Sequence, residues 1–324
     1  MSIASFGAKI ILGVSMKGLL LNGSKSDIRM SVGDLPQPSV LPGHVLIEVW
    51  AAGVIPTEIH WQPTWHTASG DQRIDIVPGH EFSGVVTAVG PGVGGVKAGD
   101  EVFGMNDWYA NGAVAEYCLA KPSEISTKPP QLSHLEAASV PISALTAWQG
   151  LFEHARLQAG ESVLVHGAAG SVGAFVVQFA NTARARVIGT GSARDEEFIR
   201  NLGADRVIDY RSERFEQAVK DVDIVVDTVG GETLDRSWSV LRPGGRLVTV
   251  AYTAADGSGD KRARDAAFIV KPSGAQLANI ANLFGQGSLR AFVDSVVPLV
   301  EAADVYSGRM PRQRPGKVVV AIRE

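Results

Sequence analysis

Cysteine is almost absent, with Cys118 the only one in 324 residues. That excludes an internal disulfide and any four-cysteine zinc site, and it suits a reducing compartment. Long apolar runs are missing too. Ile10-Ile-Leu-Gly-Val14 and Leu19-Leu-Leu21 flank Lys17, and neither reaches membrane-spanning length. No signal-peptide cleavage pattern is present, and no arginine precedes Arg29, which argues against a transit peptide. We expect a cytoplasmic protein with no membrane partner. Charge is not concentrated either. The formal net charge of −4 is spread without long blocks, so no basic stripe points to nucleic acid and no acidic tail to a docking partner. Lys261-Arg-Ala-Arg264 is too short to alter this and reads as a solvated loop.

The chain is 45% hydrophobic, enough for a sizeable core, and its length allows one large or two ordinary domains. Met16-Lys-Gly-Leu-Leu-Leu-Asn-Gly23 reads as a first strand and turn. Residues 1–15 read as an extension ahead of it, with Met16 as the alternative start. From Met16 to about Lys128 the chain is rich in strands and turns. His44-Val-Leu-Ile-Glu-Val-Trp50 alternates at strand period, and Gly84-Val-Val-Thr-Ala-Val-Gly90 is followed by Pro91-Gly-Val-Gly-Gly95. This predicts a compact, partly barrelled β unit. Pro129-Pro130 marks a boundary.

Beyond it strand and helix patterns alternate. Strands are predicted at 162–166, 186–190, 206–210, 223–227, 246–251 and 267–271, which suits a doubly wound parallel sheet. The most telling stretch is Ser162-Val-Leu-Val-His-Gly-Ala-Ala-Gly-Ser-Val-Gly173. It reads as a buried strand, a tight glycine turn and a helix start, an arrangement that aims backbone N–H groups at a pyrophosphate. Ala168 stands where the usual G-x-G-x-x-G fingerprint has its first glycine, so Gly167, Ala168, Ala169, Gly170, Ser171, Val172 and Gly173 form a variant turn. After Lys271 come a helix from Gly274 to about Phe284, a strand-like Ala291–Val297, another helix, and a strand in Gly316–Arg323, a tail expected to return to the first unit. The predicted domains are thus 1–128, 129–271 and 272–324, in an α/β fold.

The next strand, Ala185–Thr190, runs into Gly191-Ser-Ala-Arg194 with no carboxylate at its end. An NAD site would place Asp or Glu there for the ribose 2′-OH. Ser192 and Arg194 can instead bind a 2′-phosphate, with Tyr210 a third contact, so we favour NADPH. Ser192 is also a suitable helix cap, and the two roles are compatible. Asp195 and Glu196 read as first-turn acids; an Asp195 reaching the ribose would weaken or reverse the preference.

Further motifs are Ala51-Ala-Gly-Val-Ile-Pro-Thr-Glu58, Val77-Pro-Gly-His-Glu-Phe-Ser-Gly-Val85, Ala113-Val-Ala-Glu-Tyr117, Val140-Pro-Ile-Ser-Ala-Leu-Thr-Ala-Trp148, Leu202-Gly-Ala-Asp205 and Gly316-Lys-Val-Val-Val320. With the glycine turn, they resemble the medium-chain dehydrogenase/reductase superfamily, in its zinc-independent quinone oxidoreductase (enone reductase) branch, nearly everywhere from Met16 onward. The resemblance implies a GroES-like catalytic domain, a Rossmann domain, a cofactor in the cleft between them, and a homodimer. It implies that Thr146 lies near the nicotinamide and phosphates. It also implies that the backbones of Val250, Ala251 and Phe268–Val270 contact the nicotinamide amide.

Zinc-containing relatives would place Cys where this chain has Ile55, and Cys or an acid where it has Ile142. His80 and Glu81 remain, read as buried hydrogen-bonding residues at a domain seam, so no metal is expected. Without a Lewis acid, the accessible chemistry is hydride delivery to the double bond of an α,β-unsaturated carbonyl or to a quinone. The carbonyl oxygen then needs a donor and the α-carbon a proton. The branch often carries Asn at the position of Ile55, Asp at that of Glu58, and in some members Tyr at that of His60. His60, Tyr252 and Tyr109 are the proton-donor candidates, with solvent as the alternative. Ile55, Glu58, Trp61 and Trp108 are assigned to the substrate pocket, where Trp61, Trp65, Trp108 and Tyr109 form either an apolar lid or ordinary core. Two other readings stay open: an enoyl-thioester reductase of a biosynthetic pathway, and a non-catalytic NADPH-binding sensor.

Overall fold

The computed structural model describes residues 14–251 and 261–323. An antiparallel pair, β1 (Ser15–Ser24) and β2 (Asp27–Pro36), opens the chain. Leu19 and Leu21 of β1 are fully buried and join a core with Val45, Ile47 and Phe82, which is why this hairpin stays docked. Next come β3 (Val45–Gly53), β4 (Glu81–Val89), β5 (Glu101–Met105), β6 (Tyr117–Ala120) and β7 (Ile125–Thr127). The parallel region supplies β8 (Ser162–His166), β9 (Arg186–Gly191), β10 (Arg206–Asp209), β11 (Val222–Asp227) and β12 (Leu241–Thr249). β13 (Val293–Pro298) and β14 (Lys317–Ala321) follow.

Two larger sheets result. One is ordered β13-β14-β3-β4-β5-β7, with β6 also on β3, so the strand at 317–321 lies antiparallel beside residues 51–53. The other is wholly parallel, ordered β10-β9-β8-β11-β12. Its central strand is an unbroken apolar run, Val163-Leu-Val165, completely buried, as a strand covered on both faces requires. The helix Ser171–Thr182 packs its Ala174–Ala180 stretch into the same core. The strand order reverses between β8 and β11, and ligands of such sheets bind in the crevice beyond the carboxyl ends at that point.

Three expectations need correction. The predicted strand 267–271 is a single parallel bridge, Thr249 to Ala267. Its polar backbone groups are taken by side chains instead: Trp108 Nε1 donates to Val270 O (3.1 Å), and Gln149 binds both the N–H and the C=O of Lys271 (3.0 and 2.8 Å). β12 stops at Thr249, so Val250 and Ala251 lie beyond the strand, where Val250 N donates to Asp227 O (3.1 Å). β10 stops at Asp209, and Tyr210 is the exposed residue after it.

Candidate active site

The glycine turn sits at the reversal point. Gly167 has φ 71°, and a Cβ there would lie 2.4 Å from Thr228 Oγ1. Gly173 is tighter: its Cβ would lie 2.2 Å from the Gly167 carbonyl oxygen, so it lets helix and strand approach. Gly170 occupies the N-cap position of the helix Ser171–Thr182, and no side chain caps that end. The first-turn N–H groups of Ser171, Val172 and Gly173 have no intrahelical partner and carry the positive end of the helix dipole. Ala168 and Ala169 are buried in the turn, with Ala168 N bound to Thr190 O (3.0 Å). The turn fits a dinucleotide pyrophosphate.

At the end of β9, Ser192 occupies an N-cap position but does not cap through its side chain; its hydroxyl donates to Asp195 Oδ2 (2.6 Å). Asp195 is buried, and Arg194 and Arg312 each approach its Oδ1 to 3.9 Å. Arg312 was missed by the sequence reading. It comes from the loop before β14, and its guanidinium also donates to Ala169 O (2.7 Å), across 143 residues of chain. Tyr210 lies at the same end, with the Arg211 guanidinium 5.6 Å over its ring. Ser192, Arg194 and Arg312 thus gather a hydroxyl and two guanidiniums around one acid.

At the opposite end, Thr146 is buried in the helix Pro141–Trp148 and donates to Ile142 O (2.6 Å). That helix is moored at its start: Glu81 accepts from Ile142 N (3.0 Å) and from Lys317 Nζ, a buried ion pair joining β4, β14 and the helix. It continues into a π-helical turn, Gln149–His154, whose Gln149 makes the clamp on Lys271 and whose His154 ring stacks on Phe268 at 4.3 Å. π turns are rare and often found at functional sites. Phe268 and Val270 are thereby fixed by His154 and by Trp108.

The remaining candidate residues belong to the β-rich unit. Trp61 and Trp108 meet edge to face at 5.1 Å, with the His80 ring 5.1 Å from Trp108. Ile55 packs against the core of the parallel unit. Trp65 is core rather than lid, its Nε1 donating to Ile59 O (2.7 Å). Glu58, assigned to the pocket from sequence, is instead 1% exposed beneath it. Its Oε1 accepts from Gly79 N (3.0 Å) and from Tyr306 Oη, while Oε2 has no partner and lies 3.9 Å from His80 Nε2. Asn106 Nδ2 donates to Asn111 O (3.0 Å), leaving Asn106 Oδ1 to accept from His80 Nδ1 (3.1 Å). His80 Nε2 is thereby the lone-pair side, facing Glu58. Burial pushes Glu58 up to about 8 and His80 down to about 4, so near neutral pH the proton resides on the acid and the pair is uncharged. His60 and Tyr109 are both exposed, and Tyr252 lies outside the described residues.

A parallel sheet with an uncapped glycine turn, joined to a β-rich, largely antiparallel unit, is the plan of a nicotinamide-dependent oxidoreductase. The chain belongs to the medium-chain dehydrogenase/reductase superfamily, in its quinone oxidoreductase and enone reductase branch. Residues 41–130 match the alcohol dehydrogenase GroES-like domain, and residues 202–320 match the family described as zinc-binding dehydrogenase. The chain is 31% identical over 304 residues to the NADPH-dependent alkenal/one oxidoreductase, chloroplastic, of Arabidopsis thaliana, covering 91% of this chain and 76% of that one. It is 38% identical over 299 residues to the spectinabilin polyketide synthase system protein NorB of Streptomyces orinoci, covering 87% of this chain but 13% of that protein. The solved quinone oxidoreductase from Coxiella burnetii superposes with a TM-score of 0.85 at 29% identity, covering 96% of this chain and all of that one.

The zinc in the second family's description does not fit the residues here. Catalytic zinc takes three protein donors. Ile55 and Ile142 offer none, His80 is committed to Asn106, and Glu81 to Lys317. Among the described residues no group of three His, Cys, Asp or Glu side chains could hold a metal ion. Nor is any helix among them long and apolar enough to cross a membrane.

Proposed function

We propose that the protein is an NADPH-dependent, zinc-independent reductase of α,β-unsaturated carbonyls or quinones. The observation that carries the cofactor choice is the cluster at the end of β9. There Ser192 and two guanidiniums, Arg194 and Arg312, surround Asp195, leaving a net positive site for a 2′-phosphate. The uncapped turn at Gly170–Gly173 binds the pyrophosphate, and the backbones of Phe268, Val270, Val250 and Ala251, with Thr146, orient the ring. The nicotinamide, when bound, supplies a hydride. Trp61 and Trp108 cover a flat apolar substrate and exclude water, while Ile55 keeps the floor apolar. Glu58 is too deeply buried to touch substrate, so the α-carbon proton comes from the exposed His60 or Tyr109, from Tyr252, or from solvent. The substrate class is supported by the names of the alkenal/one and quinone oxidoreductase relatives.

In this reading residues 1–128 and 272–324 form the catalytic domain and 129–271 the cofactor domain. Two such chains form a homodimer in this reading, and the buried lone Cys118 suits a cytoplasmic setting. The test is oxidation of NADPH and NADH by metal-analysed protein, with 9,10-phenanthrenequinone and a simple enone as acceptors. Zinc-free turnover preferring NADPH is expected; NADPH binding without turnover of either acceptor would refute the free enone or quinone reading and favour a narrow pathway enzyme or a sensor. The similarity to a polyketide synthase protein supports a second reading, an enoyl-thioester reductase. Faster turnover of a crotonyl-pantetheine thioester than of any free enone would select it.

A further inference from the structure

Arg312 reaches the glycine turn from a loop that no regular element holds in place. What fixes that loop is a buried carboxylate. Asp294, on β13, is only 4% exposed, and an aspartate is seldom buried without partners. Its Oδ1 accepts from the backbone N–H groups of Gln313 (3.0 Å) and Arg314 (2.8 Å). Two successive amides pointing at one anion make a nest, and the nest can form only when the loop has one particular shape. Arg314 Nε adds a bond to the Asp294 carbonyl (2.7 Å), and Arg312 Nε binds Arg314 O (3.1 Å). The far end of the loop is equally constrained: Gly316 has φ 132°, and a Cβ there would lie 2.5 Å from Phe292 O. Arg312 is therefore carried on a segment tied down immediately after it, with its guanidinium against Ala169 O and Asp195.

We propose that Asp294 is the positioning residue for Arg312, holding that guanidinium over the glycine turn as the phosphate-binding arm of the crevice. This rests on the dinucleotide reading above. Asp294 touches no cofactor atom. It removes the entropy that a long exposed side chain on a free loop would lose on each binding event.

The test is a double-mutant cycle read as NADPH dissociation constants, with KM and kcat alongside. Arg312→Ala is expected to weaken NADPH about tenfold or more, the loss of a charge-assisted contact. Asp294→Ala should reproduce that loss within a factor of two, raise the KM for NADPH, leave kcat within twofold, and add nothing on the Arg312→Ala background. Asp294→Asn keeps the accepting oxygen and should bind NADPH within threefold of wild type. Should Asp294→Ala fail to fold, Arg314→Ala, which removes a surface arginine's bond to the Asp294 carbonyl, decides the matter. It should weaken NADPH about threefold in the wild-type background and not at all in Arg312→Ala. Multiplying losses in the double variant, or unchanged affinity in the loop variants, would overturn the assignment of Asp294 while leaving the cofactor reading intact. A wild-type chain that binds neither dinucleotide would overturn both.

Discussion

The glycine turn and the buried cluster around Glu58 are built by different means. The turn works with backbone: uncapped N–H groups, left-handed Gly167, and the absence of a Cβ at Gly173. The buried cluster works with side chains drawn from four separate segments, Glu58, His80, Asn106 and Tyr306. A backbone site is written in a dozen consecutive residues and survives most changes around it. A side-chain site depends on every contributor and on the dielectric that burial creates. Substitutions in the first should therefore act through shape, and in the second through charge.

Gly173→Ala is the harshest test of that contrast. The added methyl meets a backbone carbonyl that cannot swing away, so destabilisation of about 3 kcal/mol or failure to fold is expected in thermal unfolding. Gly170→Val tests shape without the same burden, since its Cβ contact is a milder 3.1 Å. Its affinity for NADPH and NADH should fall together by more than tenfold, about 1.4 kcal/mol, with a smaller loss of stability than in Gly173→Ala. Arg194→Asp should separate the cofactors, weakening NADPH about tenfold or more and NADH little; equal losses would remove the 2′-phosphate from this end.

The Glu58 prediction concerns charge alone. Its folded-state pKa, about 8, lies above its usual 4.5, so the folded protein holds a proton the unfolded chain releases, and stability falls as pH rises through that interval. His80 runs the other way, its folded value near 4 lying below 6.5, so its contribution is lost as pH falls through that lower window. Between pH 6.5 and 8 only Glu58 of the pair contributes. There Glu58→Gln should gain about 2 kcal/mol on wild type, measured as the pH dependence of denaturant unfolding. A wild-type curve parallel to that of Glu58→Gln would mean the acid is ionised in the folded protein. The smallest effect belongs to Trp108→Phe, which keeps a ring beside Trp61 and His80 but drops the bond to Val270 O. About 1 kcal/mol of stability and a shift in substrate KM are expected.

The same contrast explains what could be read in advance. The order of strands around Ser162–Gly173 was legible because apolar runs, glycines and helix starts are local signals. Glu58 was placed in the substrate pocket because its sequence neighbours are there. Its burial depends on Tyr306, 248 residues away, which no spacing reveals. Arg312 escaped for the same reason, although its nearness to Gly316-Lys317 was the one available hint. The strand expected at 267–271 rested on Phe268-Ile269-Val270, an apolar triplet of the right period. Periodicity describes side chains, and here Trp108 and Gln149 had taken the backbone groups a ladder needs.

The pairing of β14 with β3 bears on the order in which the molecule can be made. Residues 317–321 lie beside residues 51–53, so the earlier strand waits for this neighbour while everything between the two is made on the ribosome. The parallel sheet, contiguous from Ser162 to Thr249, is complete long before that. A nascent chain thus emerges with its parallel sheet formed and a β-sheet edge still open. That edge is where a chaperone would have most to protect, and where a slow translation step between the two strands would do most harm.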